Sequence, residues 1–153
     1  MYLETTVFNY YFDEDRDGHA DTVKLFEAIT AGFYEAYTSS YAVAELNDAP
    51  EPKQARMLKL IDKCGILMLY ADEESYQLAS RYIDEGVLSE NHRLDCSHIA
   101  IASINGLDCL LSFNFRHINK LRTQELTKFI NLKEGYKGIT ICTPMEVLDD
   151  EIT

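Results

Sequence analysis

Four polar residues stand where the surrounding sequence is apolar. Glu4 closes the start Met1-Tyr2-Leu3. Glu45 interrupts Tyr41-Ala42-Val43-Ala44-Glu45-Leu46, and Asp95 precedes Ile99-Ala100-Ile101-Ala102, which reads as fully buried. Asn114 follows Cys109-Leu110-Leu111-Ser112. Carboxylates gathered near one point repel each other, and partial burial strengthens the repulsion. A cation relieves it, and all-oxygen ligands select Mg2+ or Mn2+ over zinc. A carboxylate-held pair of such ions, about 3.5–4 Å apart, activates water and stabilises the leaving oxygen in phosphodiester cleavage. Spacing alone leaves plainer roles open: Asp95 as a helix N-cap, Glu45 as a half-exposed helix residue. Glu4, ending an apolar start, is the hardest to assign such a role.

The elements that must position these residues alternate. An apolar start ends at Glu4, and Thr5 or Thr6 can cap a helix running through Val7, Phe8, Tyr10, Tyr11 and Phe12. Residues 17–31 have helical apolar spacing, with Gly32 after them. Residues 34–38 read as a short strand, and Ser39 or Ser40 caps the helix holding Glu45. Ala49-Pro50-Glu51-Pro52 is a break, with Pro52 placed to start a helix that reaches Lys63. Residues 65–69 read as a buried strand. Asp72 opens a helix that Gly86 stops, and residues 89–93 form a polar loop. Asp95 caps a helix ended by Asn105-Gly106. Residues 109–112 are a strand, 121–132 a helix and 138–142 the last strand, terminated by Thr143-Pro144. Strand and helix in alternation predict a parallel sheet covered on both faces. In such a sheet, ligands bind beyond the carboxyl ends of the strands, where Glu4 and Asn114 fall. Asp95 reaches the same edge if its helix leads into a strand.

Other features exclude more than they assign. Asp13, Asp15, Asp17 and Gly18 imitate a calcium loop, but Lys24 stands where the closing glutamate belongs. Cys64, Cys96, Cys109 and Cys142 are far apart with no CxxC pair, which fits buried free thiols in a reducing cytosol. No apolar run approaches the roughly 18–20 residues that span a bilayer, and the acidic start lacks a secretory signal's basic region. A cytoplasmic chain with no membrane association is the expectation. The net charge of −12 argues against a surface basic throughout. Between Phe115 and Lys137, however, lie 6 of the 14 basic residues and 2 of the 26 acidic ones, leaving 8 and 24 for the rest. That stretch is either a phosphate-contacting surface or an ordinary solvated face.

Taken in order, five segments carry a family resemblance. They are Tyr2-Leu3-Glu4-Thr5-Thr6-Val7-Phe8, Ala44-Glu45-Leu46, Asp95-Cys96-Ser97-His98-Ile99-Ala100-Ile101-Ala102, Leu110-Leu111-Ser112-Phe113-Asn114-Phe115-Arg116-His117-Ile118, and a close of Asn131, Gly135-Tyr136 and Ile139-Thr140-Ile141-Cys142-Thr143-Pro144. Across nearly the whole chain this resembles PIN-domain proteins of the kind found as VapC-type toxin ribonucleases. The resemblance implies one PIN-like domain over residues 1–153, with a three-layer α/β/α fold and a central parallel sheet. It implies an endoribonuclease dependent on Mg2+ or Mn2+, with its acidic positions on Glu4, Glu45, Asp95 and Asn114. An RNA substrate, an antitoxin protein and a homodimer are the implied partners; the aromatic run Phe8, Tyr10, Tyr11 and Phe12 can be core, but the resemblance implies that an exposed part of this helix is the partner surface. Two positions depart from the family: Glu4 replaces the usual Asp, and Asn114 stands where Asp is common. The cluster then holds three negative charges, and two tightly held metals are less expected than one.

Beside these, Thr5 and Ser112 can support a ligand or a water. His98, three residues after Asp95, shares its helix face and can orient a carboxylate or simply fill the core. Arg116 and His117 can contact RNA phosphate or other parts of the protein. Two other functions compete: a PIN-fold module that binds protein or RNA without cleaving, and a phosphoacceptor receiver domain. The latter wants adjacent acids after the first strand and a lysine where Asn114 stands.

Overall fold

The computed structural model describes residues 1–48 and 53–152. The expected break at Ala49-Pro50-Glu51-Pro52 lies outside the described residues. Five short strands form one sheet: β1 (Tyr2–Leu3), β2 (Tyr37–Ser39), β3 (Leu67–Leu69), β4 (Cys109–Leu111) and β5 (Thr140–Cys142). Their order is β3-β2-β1-β4-β5, and every neighbouring pair is parallel. Parallel neighbours need long crossovers, which the helices supply. These are α1 (Thr5–Phe12), α2 (His19–Thr30), α3 (Ser40–Asn47), α4 (Lys53–Cys64), α5 (Glu73–Asp84), α6 (Arg93–Ile104), α7 (Leu121–Lys133) and α8 (Pro144–Ile152).

The three layers follow from strand alternation. Leu3, Leu111 and Cys142 face one core with Val7, Phe8, Leu25, Phe26, Ile29, Met57 and Leu60. Their neighbours Tyr2, Leu110 and Ile141 face the other, with Leu78, Tyr82, Ile99, Ile101 and Ile130. Helices α1, α2 and α4 thus cover one face, and α5, α6 and α7 the other. In α6 every residue from Cys96 to Ser103 is buried, as in a helix enclosed by the core. Hydrogen bonds from Asn131 on α7 to Ser103 Oγ of α6 (2.8 Å) and from Tyr82 of α5 to Asn131 tie this layer together. No helix among the described residues is long and apolar enough to cross a membrane.

Several local expectations change. The cap of α1 is Glu4 rather than Thr5 or Thr6: its carboxylate accepts from the Thr6 N–H (3.2 Å). Strand β3 was expected buried, but it pairs only with β2 at the sheet edge, and Leu67 is 49% exposed. The polar loop at 89–93 contains a 3-10 turn, Glu90–His92, that runs directly into α6. Helix α6 therefore starts at Arg93, and Asp95 lies inside its first turn instead of capping it. Thr143-Pro144 ends β5 as expected but also starts α8. Thr143 and Glu146 cap each other, Glu146 N–H to Thr143 Oγ1 at 3.3 Å and Thr143 N–H to Glu146 Oε1 at 3.1 Å. That reciprocal bonding is a capping box, with Pro144 at the first helical position.

Candidate functional site

The chain leaves β1 toward β2 and β3 on one side, then returns to β4 and β5 on the other. The strand order therefore reverses between β1 and β4; in open parallel sheets that switch point, at the carboxyl edge, is where the ligand-binding crevice lies. Glu4 follows β1 directly, and its N–H donates to Leu111 O of β4 (3.1 Å). Its side chain is 2% exposed. Oε1 accepts from Thr6 Oγ1 (2.5 Å) and Ser112 Oγ (2.6 Å), and Oε2 from the Thr6 N–H. Ser112 Oγ in turn accepts from the Asn114 N–H (2.9 Å). Asn114 Nδ2 donates to Asp95 Oδ1 (3.2 Å), while Asn114 Oδ1 accepts from the His117 N–H (3.2 Å). Helix α6 leads into β4, so its first turn lies at the same edge. One chain of hydrogen bonds thus joins Glu4, Ser112, Asn114 and Asp95.

A second chain holds Glu45, which reaches the site from α3. Its Oε1 accepts from Thr5 Oγ1 (2.6 Å) and pairs with His98 Nε2 (2.5 Å). His98 is fully buried, and its Nδ1 lies 2.6 Å from the Tyr2 hydroxyl. That hydroxyl is 2.6 Å from Ser39 Oγ, the cap of α3. Burial works against an imidazolium, but the hydrogen bond to Glu45 and the charges of Glu4, Glu45 and Asp95 outweigh it and raise the His98 pKa. Burial also works against ionised Glu45, but the His98 bond and charge prevail and lower its pKa. Glu4 and Asp95 behave oppositely. Burial raises both above their ordinary values, despite the nearby His98 and, for Asp95, the two histidines His117 and His92.

Among the described residues, the three carboxylates do not share a single tight cluster. Glu4 and Glu45 gather with His98, and Asp95 gathers with His92 and His117, the ligand atoms of each group lying within 4.8 Å of one another. The sites adjoin, since Glu45 and His98 both act on Asp95 electrostatically. His98, three residues from Asp95, bonds Glu45 instead. Arg116 is exposed and His117 half-buried at the rim. Of the basic stretch, Arg122 is bound to the carbonyls of Val87 (2.9 Å) and Gly86 (2.8 Å), Lys137 to Asp108 (2.7 Å) and Lys133 to Glu85 (3.7 Å), while Arg116, Lys120 and Lys128 are exposed, the first two close behind Asn114. Of the aromatic helix, Phe8 is core, while Tyr10, Tyr11 and Phe12 are half-buried, Tyr10 stacking on Phe113 at 3.8 Å. Sequence reasoning missed His92 altogether. It lies in a polar loop with no periodicity, and only its nearness to Asp95 in the chain pointed to it.

The PIN domain family model matches residues 1–122. The chain belongs to the PIN domain family. The five-stranded parallel sheet and its switch-point crevice are accordingly the PIN fold. A crystal structure of VapC20 from Mycobacterium tuberculosis, described as a toxin that cleaves the sarcin–ricin loop, has a similar fold: TM-score 0.60, 10% identity, covering 74% of this chain and 89% of VapC20. Among curated proteins, none matches this chain.

Proposed function

We propose that this PIN-domain chain is a metal-dependent endoribonuclease, the toxin of a toxin–antitoxin pair acting in the cytoplasm. The observation that carries the reading is Glu4: a buried carboxylate, bonded to Ser112 and Thr6 yet held above its ordinary pKa, at the switch point of the sheet. A carboxylate so placed gains from a divalent cation. The donor set fits Mg2+ or Mn2+, because Glu4, Glu45 and Asp95 offer carboxylate oxygens and Asn114 a neutral one. Such an ion supplies the Lewis acidity that phosphodiester hydrolysis needs. The chain's own groups do the positioning. Ser112 and Thr6 fix the Glu4 carboxylate, Thr5 and His98 fix Glu45, and Asn114 fixes Asp95. Arg116 and His117 at the rim contact the RNA phosphates on either side.

The likeness to VapC20 supports a structured single-stranded loop as the substrate class, where splayed bases are accessible. A net charge of −12 suits an antitoxin that contributes basic residues, and the chain pairs with a second copy of itself. Incubation of a stem–loop RNA with Mn2+ tests the reading. Asp95→Asn, still folded by circular dichroism, is expected to lose cleavage; equal cleavage by wild type and variant overturns it.

One observation favours a second reading, a PIN module that binds without cleaving. The His98 imidazole lies within reach of both Glu4 and Glu45 and itself partly neutralises them. That reading expects weak metal binding, and a tight Mn2+ site in titration calorimetry excludes it.

A further inference from the structure

Three segments bring two imidazoles and a carboxylate together on the outer side of the crevice. His92 ends the 3-10 turn and stands at the N-cap position of α6, Asp95 lies one turn on, and His117 follows β4. One nitrogen of each ring and one Asp95 oxygen all lie within 4.8 Å of one another. The rings are 3.8 Å apart between centroids and inclined by 33°. All three residues are half-buried, so the group is open to solvent on one side. Among the described residues, no side-chain nitrogen of either histidine has a hydrogen-bond partner. Asn114 holds Asp95 by Oδ1 and His117 by its N–H, so two of the three ligands are fixed by one side chain.

The donor chemistry differs from that of the carboxylate site. Two imidazole nitrogens and one carboxylate oxygen suit Zn2+, Co2+ or Ni2+ and disfavour Mg2+, which wants oxygen throughout. Metal bonds of about 2.0–2.1 Å set tetrahedral ligand atoms roughly 3.3 Å apart, so side-chain rotations of about an ångström close the present group. We infer that His92, Asp95 and His117 form a transition-metal site, with zinc as its chemical type. Three ligands leave a fourth position open to water or to an RNA phosphate. Asp95 belongs to both sites, so zinc here competes with Mg2+ for it. Only that competition rests on the proposed nuclease activity; the binding does not.

Cobalt titration followed by visible absorption tests the site directly, because nitrogen-ligated Co2+ absorbs and hexaaqua Co2+ barely does. Wild type is expected to bind one Co2+ that Zn2+ displaces. The double substitution His92→Gln with His117→Gln is expected to weaken binding more than about 100-fold, since removing even the outer partners of metal ligands costs about 10–100-fold. Single His92→Gln, with its melting curve recorded, guards against loss through misfolding and is expected to weaken binding on its own. Cobalt binding unchanged in the folded double variant overturns the inference, as does binding abolished by Glu4→Gln but kept in the double variant. Cleavage in Mg2+ is assayed separately. If no preparation cleaves RNA but cobalt binding still depends on the two histidines, the nuclease reading fails and the zinc site stands.

Discussion

Glu4 serves the fold and the crevice with the same carboxylate, and the two demands conflict. Its oxygens cap α1 and accept from Ser112, while burial disfavours its charge. Glu4→Gln keeps an acceptor for the Thr6 N–H and removes the charge. In EDTA near pH about 7.5 it is expected to raise Tm by about 2–4 °C, the equivalent of about 1 kcal/mol in a chain of this size, while abolishing cleavage. A fall in Tm on thermal melting would show that the charge stabilises the fold. His98 is the opposite case, since no water reaches it and both nitrogens are engaged. His98→Ala removes one partner from each neighbour, leaving the Tyr2 hydroxyl with Ser39 and the Glu45 carboxylate with Thr5. Urea unfolding is expected to show a loss of about 3 kcal/mol, the low end for a broken buried pair because Glu45 still meets solvent. Glu4, Glu45, Asp95 and Asn114 were legible as polar residues set against apolar runs. The division into two groups was not, because it depends on His98 turning toward α3 and on His92 folding back beside His117.

At the scale of elements, α6 decides the geometry of the site, because it carries both Asp95 and His98. It is seated by small residues: Ala100 and Ala102 are fully buried between neighbouring layers. Ala102→Leu forces extra volume into that layer and is expected to cost about 1–3 kcal/mol in urea unfolding. The displaced helix carries Asp95 with it, so Mg2+ affinity measured by calorimetry is expected to fall too; an unchanged affinity would mean that Asp95 is not set by α6 packing. Most elements were legible from spacing, since their apolar faces and their caps agree. Asp72 opens α5 through a capping box with Ser75, as its sequence position suggested. Where the structure differs from the spacing, the causes are local. The start of α6 was placed late because a 3-10 turn continues into it without a sequence break. Thr143-Pro144 ends a strand and, with Glu146, also carries the start signal of α8, so one pair of residues marks two boundaries. An apolar run does not distinguish a central strand from an edge strand, and so β3 was expected buried.

Over the whole molecule, the titrating groups of the crevice set how stability depends on pH. Glu4 and Asp95 have raised folded pKa values, so their favourable contribution is complete below the unfolded values, about 3.9–4.3, and is lost as pH rises through the folded ones. His98 is also raised, so its contribution is present below about 6.5 and lost as pH rises past its folded value. Glu45 is lowered, so its contribution is present above about 4.3 and lost as pH falls through its folded value. The metal-free chain is therefore expected to be most stable between about pH 4.5 and 6.5 and to weaken above neutrality. The net charge of −12 adds self-repulsion in the same direction. On the proposed function, a hard cation bound through Glu4, Glu45 and Asp95 acts against that loss, and protons compete with it for Glu4 and Asp95. Mg2+ at about 100 times its Kd adds about 2.7 kcal/mol, or roughly 5–10 °C in Tm for a chain of this length. Thermal melts with and without Mg2+ are expected to show that gain near pH about 8 and a much smaller one near pH about 5. Equal gains at both values would mean that Mg2+ does not bind through Glu4 and Asp95, because a proton on either carboxylate would then leave its affinity unchanged.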